Sequence, residues 1–319
     1  MIHVVRRFTV AAALLVATVS VVGAQTLQPR PFPTEGISSF LFDSPLMGVK
    51  YDVSVWVPPS FKPESGKKLP LLVVTDGNNA FTVALDAARS LINQGAIGEM
   101  IIASIGTPPE DGEKAFVSRR VYEFSPPNWD MKDPFGVEVQ RTCKTMGSPP
   151  DRCTGGAPKF LTVINEELIA MLTKRFAVDT TQLGLFGVSA GGFFASWAVF
   201  QPESRFTKYM LNSPAMAYGG DVIHRLEADY AATHKDLKAS IHLTAGTLEI
   251  NDPYLEGRGH IVSGMARFAA SLSGRGYPGL KLWTEMLDGM GHGDATGTAL
   301  VRGLRVLYGL PPIPYGTTR

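Results

Sequence analysis

The ten residues "LFGVSAGGFF", Leu185 to Phe194, decide how the rest of the chain is read. Gly187-x-Ser189-x-Gly191 has the spacing of a nucleophile elbow, in which a serine sits on a sharp turn between a strand and a helix. In a glycine-rich chain the pentapeptide is weak by itself. Its flanks supply the context that the elbow requires. "LGLF" before it reads as a buried strand, and "GGFFASWAVFQ" after it reads as the helix packed behind that strand. Gly187, Gly191 and Gly192 then mark places where strand and helix approach too closely for a side chain.

Working outward, the continuous apolar run at Leu71–Thr75 reads as a strand covered on both faces, and similar short runs at Met100–Ser104, Leu183–Phe186, Tyr209–Leu211, Ile241–Ala245 and Leu280–Met286 read as further strands. "KYDVSVWVP", from Lys50, instead alternates Val53, Val55 and Val57 with polar neighbours, which suits a half-buried antiparallel strand at the sheet edge. Helical spacing lies between the runs. Leu161, Ile164, Leu168 and Met171 share one face, with Lys174 and Arg175 in the last turn, and Leu300, Leu304 and Leu307 repeat the pattern. Strands alternating with helices predict an α/β fold with a mostly parallel central sheet flanked by helices, and the serine elbow within it is that of an α/β-hydrolase fold. No internal repeat or low-complexity linker divides it, so residues 25–319 are expected to form one domain.

Residues 1–24 read as a cleaved signal peptide: Arg6 and Arg7, an apolar run from Phe8 to Val22, then Val22-Gly23-Ala24. The run is shorter than a spanning helix needs, so no stable membrane insertion is expected after cleavage, and the mature protein is expected in the periplasm or outside the cell. The chain carries 30 basic and 29 acidic residues, a balance that implies neither nucleic acid nor an anionic membrane as partner. Cys143 and Cys153, in an oxidising compartment, read as a disulfide. They fall in Pro108–Pro158, rich in Pro, Gly, Asp and Ser, which reads as a long disulfide-containing loop inserted as a lid or cleft wall.

A serine hydroxyl needs a base, which in this fold class follows the nucleophile and an acid in chain order. His292, in the flexible "DGMGHGD" loop between a strand and the last helix, is the first candidate, and His260 in "GRGHIV" the competitor. His242 sits between Ile241 and Leu243 as a core residue would, and His224 and His234 lie in a charged segment that reads as solvated. The acid is expected in "AGTLEINDP", where Glu249 is favoured over Asp252, a residue suited to a turn before Pro253. The oxyanion donors would be the amides of Ala190, directly after the serine, and of Asn78 in "TDGNNAF", with Asp76 and Gly77 shaping the turn. Two cysteines make no metal site, and no organic cofactor is required.

From about Lys50 to Gly309 the chain resembles the Putative esterase, or esterase D-like, family of α/β-hydrolases, which includes feruloyl esterases, mycolyltransferases and enterochelin esterases. The matching pieces are "LLVVTDGNNAF", the block from "GGAPKFLTVINEEL" through the elbow to "LNSPA", "LTAGTLE" and "DGMGHGDATGTALVRGLRVLYG". The "EEL" helix and the "SP" after the next strand are most similar to periplasmic, trilactone-cleaving siderophore esterases. The resemblance implies Ser189 as nucleophile, His292 as base, Glu249 at the acid position, and Asn78 and Ala190 as oxyanion amides. Some members of this type work with a Ser-His dyad. Arg119 and Arg120 match a basic patch that would face an anionic substrate. The chain departs from the pattern at Val188, where relatives often carry histidine, and in its longer cysteine-bearing segment. The expectation is a secreted serine esterase for a small-molecule ester such as a siderophore trilactone. A feruloyl, acetyl or short-chain esterase and an acyltransferase use the same residues, and an inactive binding protein is the non-enzymatic alternative.

Overall fold

A computed structural model describes residues 35–311. The expected signal peptide, residues 1–24, lies outside the described residues. Within them an eight-stranded sheet runs in the order β1-β2-β4-β3-β5-β6-β7-β8. The strands are β1 Ile37–Ser44, β2 Val49–Trp56, β3 Leu69–Val74, β4 Ile101–Gly106, β5 Val178–Val188, β6 Lys208–Asn212, β7 Ser240–Gly246 and β8 Lys281–Leu287. From β4 to β8 every neighbouring pair is parallel, while β1 and β2 form an antiparallel hairpin and β2 pairs antiparallel with β4. The alternating strand of the 50s is therefore antiparallel but not at the edge. β1, which lacks a comparable apolar alternation, covers it.

The apolar runs of the inner strands pack as two-sided burial demands, whereas the run at Leu280–Met286 forms β8 at the sheet edge, where only Leu287 is buried and Met286 is exposed. Leu71 and Val73 of β3 and Leu211 of β6 face one core; Leu72, Val74 and Met210 face the other. The second core lies under α1 Gly77–Asn93 and α9 Ala295–Tyr308. The first is covered by α2 Gly112–Phe124, α3 Pro134–Met146, α4 Ala157–Thr162, α5 Ile169–Arg175, α6 Ala190–Ala198, α7 Tyr218–Thr233 and α8 Ile261–Arg275. A π-helical turn, Val163–Leu168, joins α4 to α5.

The segment expected as a long loop folds into helices. α2 and α3 occupy most of it, and the Cys143–Cys153 disulfide ties the end of α3 to the turn that follows, with Cα atoms 5.6 Å apart. Asp133 starts α3 by accepting hydrogen bonds from the amides of Phe135 (3.1 Å) and Gly136 (2.9 Å), with Pro134 at the first helical position. Its other oxygen accepts from Trp129 Nε1 at 2.7 Å. Polar and turn-forming residues here are caps between short helices rather than a single open loop.

The chain turns outward in opposite directions on leaving β3 and β5, because it returns from β3 as β4 on one side of that pair and from β5 as β6 on the other. A crevice forms at such a switch point beyond the carboxyl ends of the strands. The loops after β3, β5, β6, β7 and β8 carry Asp76–Asn78, Ser189, Ser213, Glu249 and His292 respectively.

Candidate active site

Ser189 lies between β5 and α6 with φ 59° and ψ −121°, a conformation that non-glycine residues adopt only when surrounding bonds hold it. Four groups do so. Its amide donates to Asn212 O (3.0 Å), and its carbonyl accepts from Phe193 N (2.9 Å) and Ala215 N (3.0 Å). On the preceding peptide, Val188 O accepts from Arg120 Nη2 at 3.3 Å. The glycines are sterically obligatory: a Cβ on Gly187 would stand 2.1 Å from Gly191 O, and one on Gly191 2.8 Å from Thr75 Oγ1 and 3.2 Å from Asp76 Oδ2.

His292 and Ser189 line one cleft of about 480 Å³, together with Asp76, Asn79, Arg120 and Thr296. His292 Nδ1 is 2.5 Å from Glu249 Oε1. A carboxylate only accepts, so the proton is assigned to Nδ1, and Nε2 keeps the lone pair that a general base needs. Glu249 is 1% exposed and holds its place through Oε2, which accepts from Ser213 Oγ (2.8 Å) and Gly246 N (2.6 Å). Leu248 N donates to Met290 O at 3.0 Å, tying the acid's loop to the histidine's.

The competing residues are placed elsewhere. Asp252 Oδ1 accepts from Tyr254 N (2.8 Å) and Leu255 N (2.7 Å), the hydrogen bonds of a turn. His260 pairs with Asp221 at 3.1 Å and is not among the residues lining the cleft of Ser189. His242 is buried on β7 against Glu285, as a core residue. His224, expected to be solvated, is buried on α7, where burial lowers its pKa; its charged segment is one face of an amphipathic helix. His234 is exposed, stacked on Tyr230.

On the oxyanion side, Asp76 has left-handed φ 53° and precedes α1. Its carbonyl accepts from Asn79 N (2.9 Å) and Ala80 N (3.0 Å), so the amides of Gly77 and Asn78 are the first-turn donors with no intrahelical acceptor. The Asn78 side chain faces away from the cleft, donating to Thr107 O (2.6 Å) and accepting from Thr107 N (3.0 Å), an exchange that locks the start of α1 to the end of β4. Ala190 opens α6 directly after Ser189 and is buried.

The arginine pair is split by the helix turn. Arg120 lines the cleft, with Nε between the Asp76 oxygens at 2.9 and 3.0 Å. Arg119 points instead into a buried group below, over the Tyr51 ring at 4.5 Å and 3.4 Å from both Glu123 and Asp111. There Tyr51 Oη donates to Glu123 Oε1 at 2.8 Å, and burial pushes the Glu123 carboxyl up to about 7. Ser213 and Asn212 are contributors that residue patterns did not single out for a role. Asn212 O holds the elbow amide, and its side chain joins Thr244 (2.9 Å) to Thr296 (3.3 Å). The sole signal was the "NSP" following a buried strand. Among the described residues no three His, Cys, Asp or Glu side chains gather as metal ligands would.

A family model for "Putative esterase" matches residues 44–249, more than half of the chain. The chain belongs to the Putative esterase family. This esterase-family chain is 33% identical over 156 residues to the siderophore enterobactin esterase of Emericella nidulans, a match covering 48% of each protein. The matched stretch thus spans about half the length of that relative. It is 26% identical over 235 residues to the siderophore triacetylfusarinine C esterase of Aspergillus fumigatus, covering 71% of this chain and 73% of the relative. Among solved structures, the BES protein from Bacillus cereus superposes with a TM-score of 0.69 at 26% identity, covering 88% of this chain and 98% of that one. The siderophore hydrolase EstA from Aspergillus nidulans superposes with a TM-score of 0.73 at 22% identity, covering 89% and 98%, a likeness of fold.

Proposed function

We propose that the protein is an exported serine esterase that opens the ester bonds of a siderophore, with Ser189 as nucleophile, His292 as base and Glu249 as the acid that orients it. The observation that carries the chemistry is the His292–Glu249 pair at 2.5 Å, opening onto the cleft that Ser189 lines. His292 Nε2 takes the Ser189 hydroxyl proton as Oγ attacks the ester carbonyl, and Glu249 stabilises the resulting imidazolium. The amides of Asn78 and Ala190 face the oxyanion. The imidazolium protonates the departing alcohol, leaving an acyl-serine, and a water activated by the same imidazole releases the acid.

Siderophore esters are favoured as substrate because relatives from two fungi and from Bacillus subtilis carry the names of siderophore esterases. Export is supported by the amino-terminal pattern and by the Cys143–Cys153 disulfide, which belongs in an oxidising compartment. The test is hydrolysis of a trilactone siderophore by the purified mature protein, with and without iron, beside feruloyl and p-nitrophenyl butyrate esters and a Ser189→Ala control. Preference for the trilactone, lost in Ser189→Ala, is expected. Serine-dependent turnover of the simple esters alone would discard the siderophore, and turnover by Ser189→Ala would discard the nucleophile.

A further inference from the structure

Arg120 comes from the helical insertion, yet its contacts belong to the two loops that flank the reaction centre. Nε sits between both carboxylate oxygens of Asp76, at 2.9 and 3.0 Å, and Nη2 donates to Val188 O at 3.3 Å. Asp76 is the residue before Gly77 and Asn78; Val188 is the residue before Ser189 and Ala190. One guanidinium therefore spans the β3–α1 turn and the β5–α6 turn. Both turns are strained, with Asp76 at φ 53° and Ser189 at φ 59°. The 188–189 peptide is held from two sides, by Arg120 at its carbonyl and by Asn212 O at its amide. The start of α6 and the β3–α1 turn also lie close together, since a Cβ on Gly191 would stand 3.2 Å from Asp76 Oδ2.

The charge of Arg120 is already spent inside the protein. Asp76 is 5% exposed at its side chain and Arg120 25%, and the guanidinium lies 5.5 Å from the centre of the Phe124 ring. Such a planar fork holds donors on separate nitrogens in fixed directions, Nε towards Asp76 and Nη2 towards Val188 O, whereas an ammonium gathers its three donors on one atom at the end of a flexible stem. We infer that Arg120 is a positioning residue, a strut by which α2 holds the Asn78 and Ala190 amides at the separation the oxyanion requires, rather than a binding site for an anionic group of the substrate. The inference rests on the esterase reading of the same site and deepens it. It also assigns the insertion a part in catalysis, because α2 closes the contact between the two loops.

The two roles differ in which kinetic constant they move. A strut acts after the substrate is bound, on the charge that develops in the transition state, so its loss lowers kcat for every ester. A binding site for an anion acts on KM for anionic esters alone. The experiment compares wild type, Arg120→Gln and Arg120→Lys on a neutral ester, p-nitrophenyl butyrate, and an anionic one, p-nitrophenyl hemisuccinate, with Ser189→Ala as blank and melting curves on each variant. Loss of one oxyanion donor costs about 10²–10³-fold in kcat. Arg120→Gln is therefore expected to lose about 10²-fold in kcat equally on both esters, with KM within about threefold. Arg120→Lys, which keeps the charge but replaces two separated, rigidly placed donors by a single flexible nitrogen, should lose about 10-fold, again equally.

A rise in KM confined to the hemisuccinate, or unchanged kinetics on both esters in a folded variant, would overturn the inference. If Arg120→Gln fails to fold because Asp76 is left buried without its partner, the equal loss in kcat is required of Arg120→Lys. Serine-dependent turnover that is indifferent to Arg120 would remove the strut and leave the esterase reading standing. Absence of any Ser189-dependent turnover in wild type would remove both.

Discussion

Replacing Glu249 by glutamine distinguishes a working triad from a Ser-His dyad. Oε1 of Glu249 faces His292 Nδ1 at 2.5 Å, while Oε2 receives Ser213 Oγ at 2.8 Å and Gly246 N at 2.6 Å. Glutamine keeps the shape but has one accepting end and one donating end. With its carbonyl towards Ser213 and Gly246, the amide NH2 faces His292 Nδ1, which must then offer a lone pair and carry its proton on Nε2. That tautomer cannot take the proton of Ser189. With the amide reversed, NH2 meets the Gly246 N–H, donor against donor, in a position that is 1% exposed in the parent. The first arrangement costs less, so the wrong tautomer prevails. The equivalent change in a serine protease triad lowers kcat about 10⁴-fold, roughly 5 kcal/mol of transition-state stabilisation. The assay is kcat and KM for p-nitrophenyl butyrate at pH 8, with thermal melting to establish that Glu249→Gln is folded. A loss of about 10³–10⁴-fold in kcat with KM within a few-fold is expected. A folded variant losing less than about 10-fold would show that His292 needs no carboxylate and that the dyad suffices. Asp252→Asn serves as control and should leave turnover unchanged, since asparagine can still accept the turn hydrogen bonds from Tyr254 N and Leu255 N.

Ser213→Ala removes one of the two donors to Glu249 Oε2 and leaves the other, so kcat should fall about 10-fold, less than in Glu249→Gln, as read in the same assay. Burial raises the Glu123 carboxyl from 4.5 to about 7, so the folded protein binds more protons than the unfolded chain between those values, and stability falls as pH rises through that window by up to about 3 kcal/mol. Urea melts from pH 4 to 8 should show this slope, and Glu123→Gln should flatten it; an unchanged slope would assign it to other groups. Cys143→Ser with Cys153→Ser opens a loop with a sequence separation of 10. The chain-entropy relation sets the expected loss at about 3 kcal/mol, measurable by denaturant midpoint against the oxidised parent. Gly187→Ala drives a Cβ to 2.1 Å from Gly191 O, so the elbow must open, and labelling of Ser189 by a fluorophosphonate should fall at least 10²-fold even where the sheet survives.

Particular residues show where sequence reading succeeds. Leu71–Val74 and Ile101–Ala103 are apolar without interruption, a property that suits a strand covered on both faces, and both lie in central parallel-paired strands. The elbow was legible for the same local reason. A serine between close-packed glycines, after one apolar run and before another, is a statement about a few consecutive residues. That His292 and the stretch holding Glu249 and Asp252 would lie near Ser189 was legible through chain order, because loops after successive parallel strands emerge at one edge of the sheet.

What escaped the sequence depends on partners far along the chain. α2 has a weak apolar pattern of its own, and α3, though Phe135, Val139 and Cys143 share one buried face, lies among polar and turn-forming residues that cap, pair or turn inward only once the neighbouring elements are in place. β1 is held by pairing with β2, not by its own composition. Arg119 and Arg120 are adjacent and chemically identical, yet helix geometry sends one beneath the cleft to Tyr51 and Glu123 and the other across it to Asp76 and Val188. Sequence by itself determined the fold class, the strand-turn-helix of Ser189 and the order of candidate groups, because those follow from local periodicity and topology. Tertiary structure alone decided that Glu249 rather than Asp252 faces His292, that Ser213 holds it, and that the charge of Arg120 is compensated within the protein. Each of those is a contact between residues at least 35 positions apart in the chain, whose geometry exists only after the sheet has brought its loops to one edge.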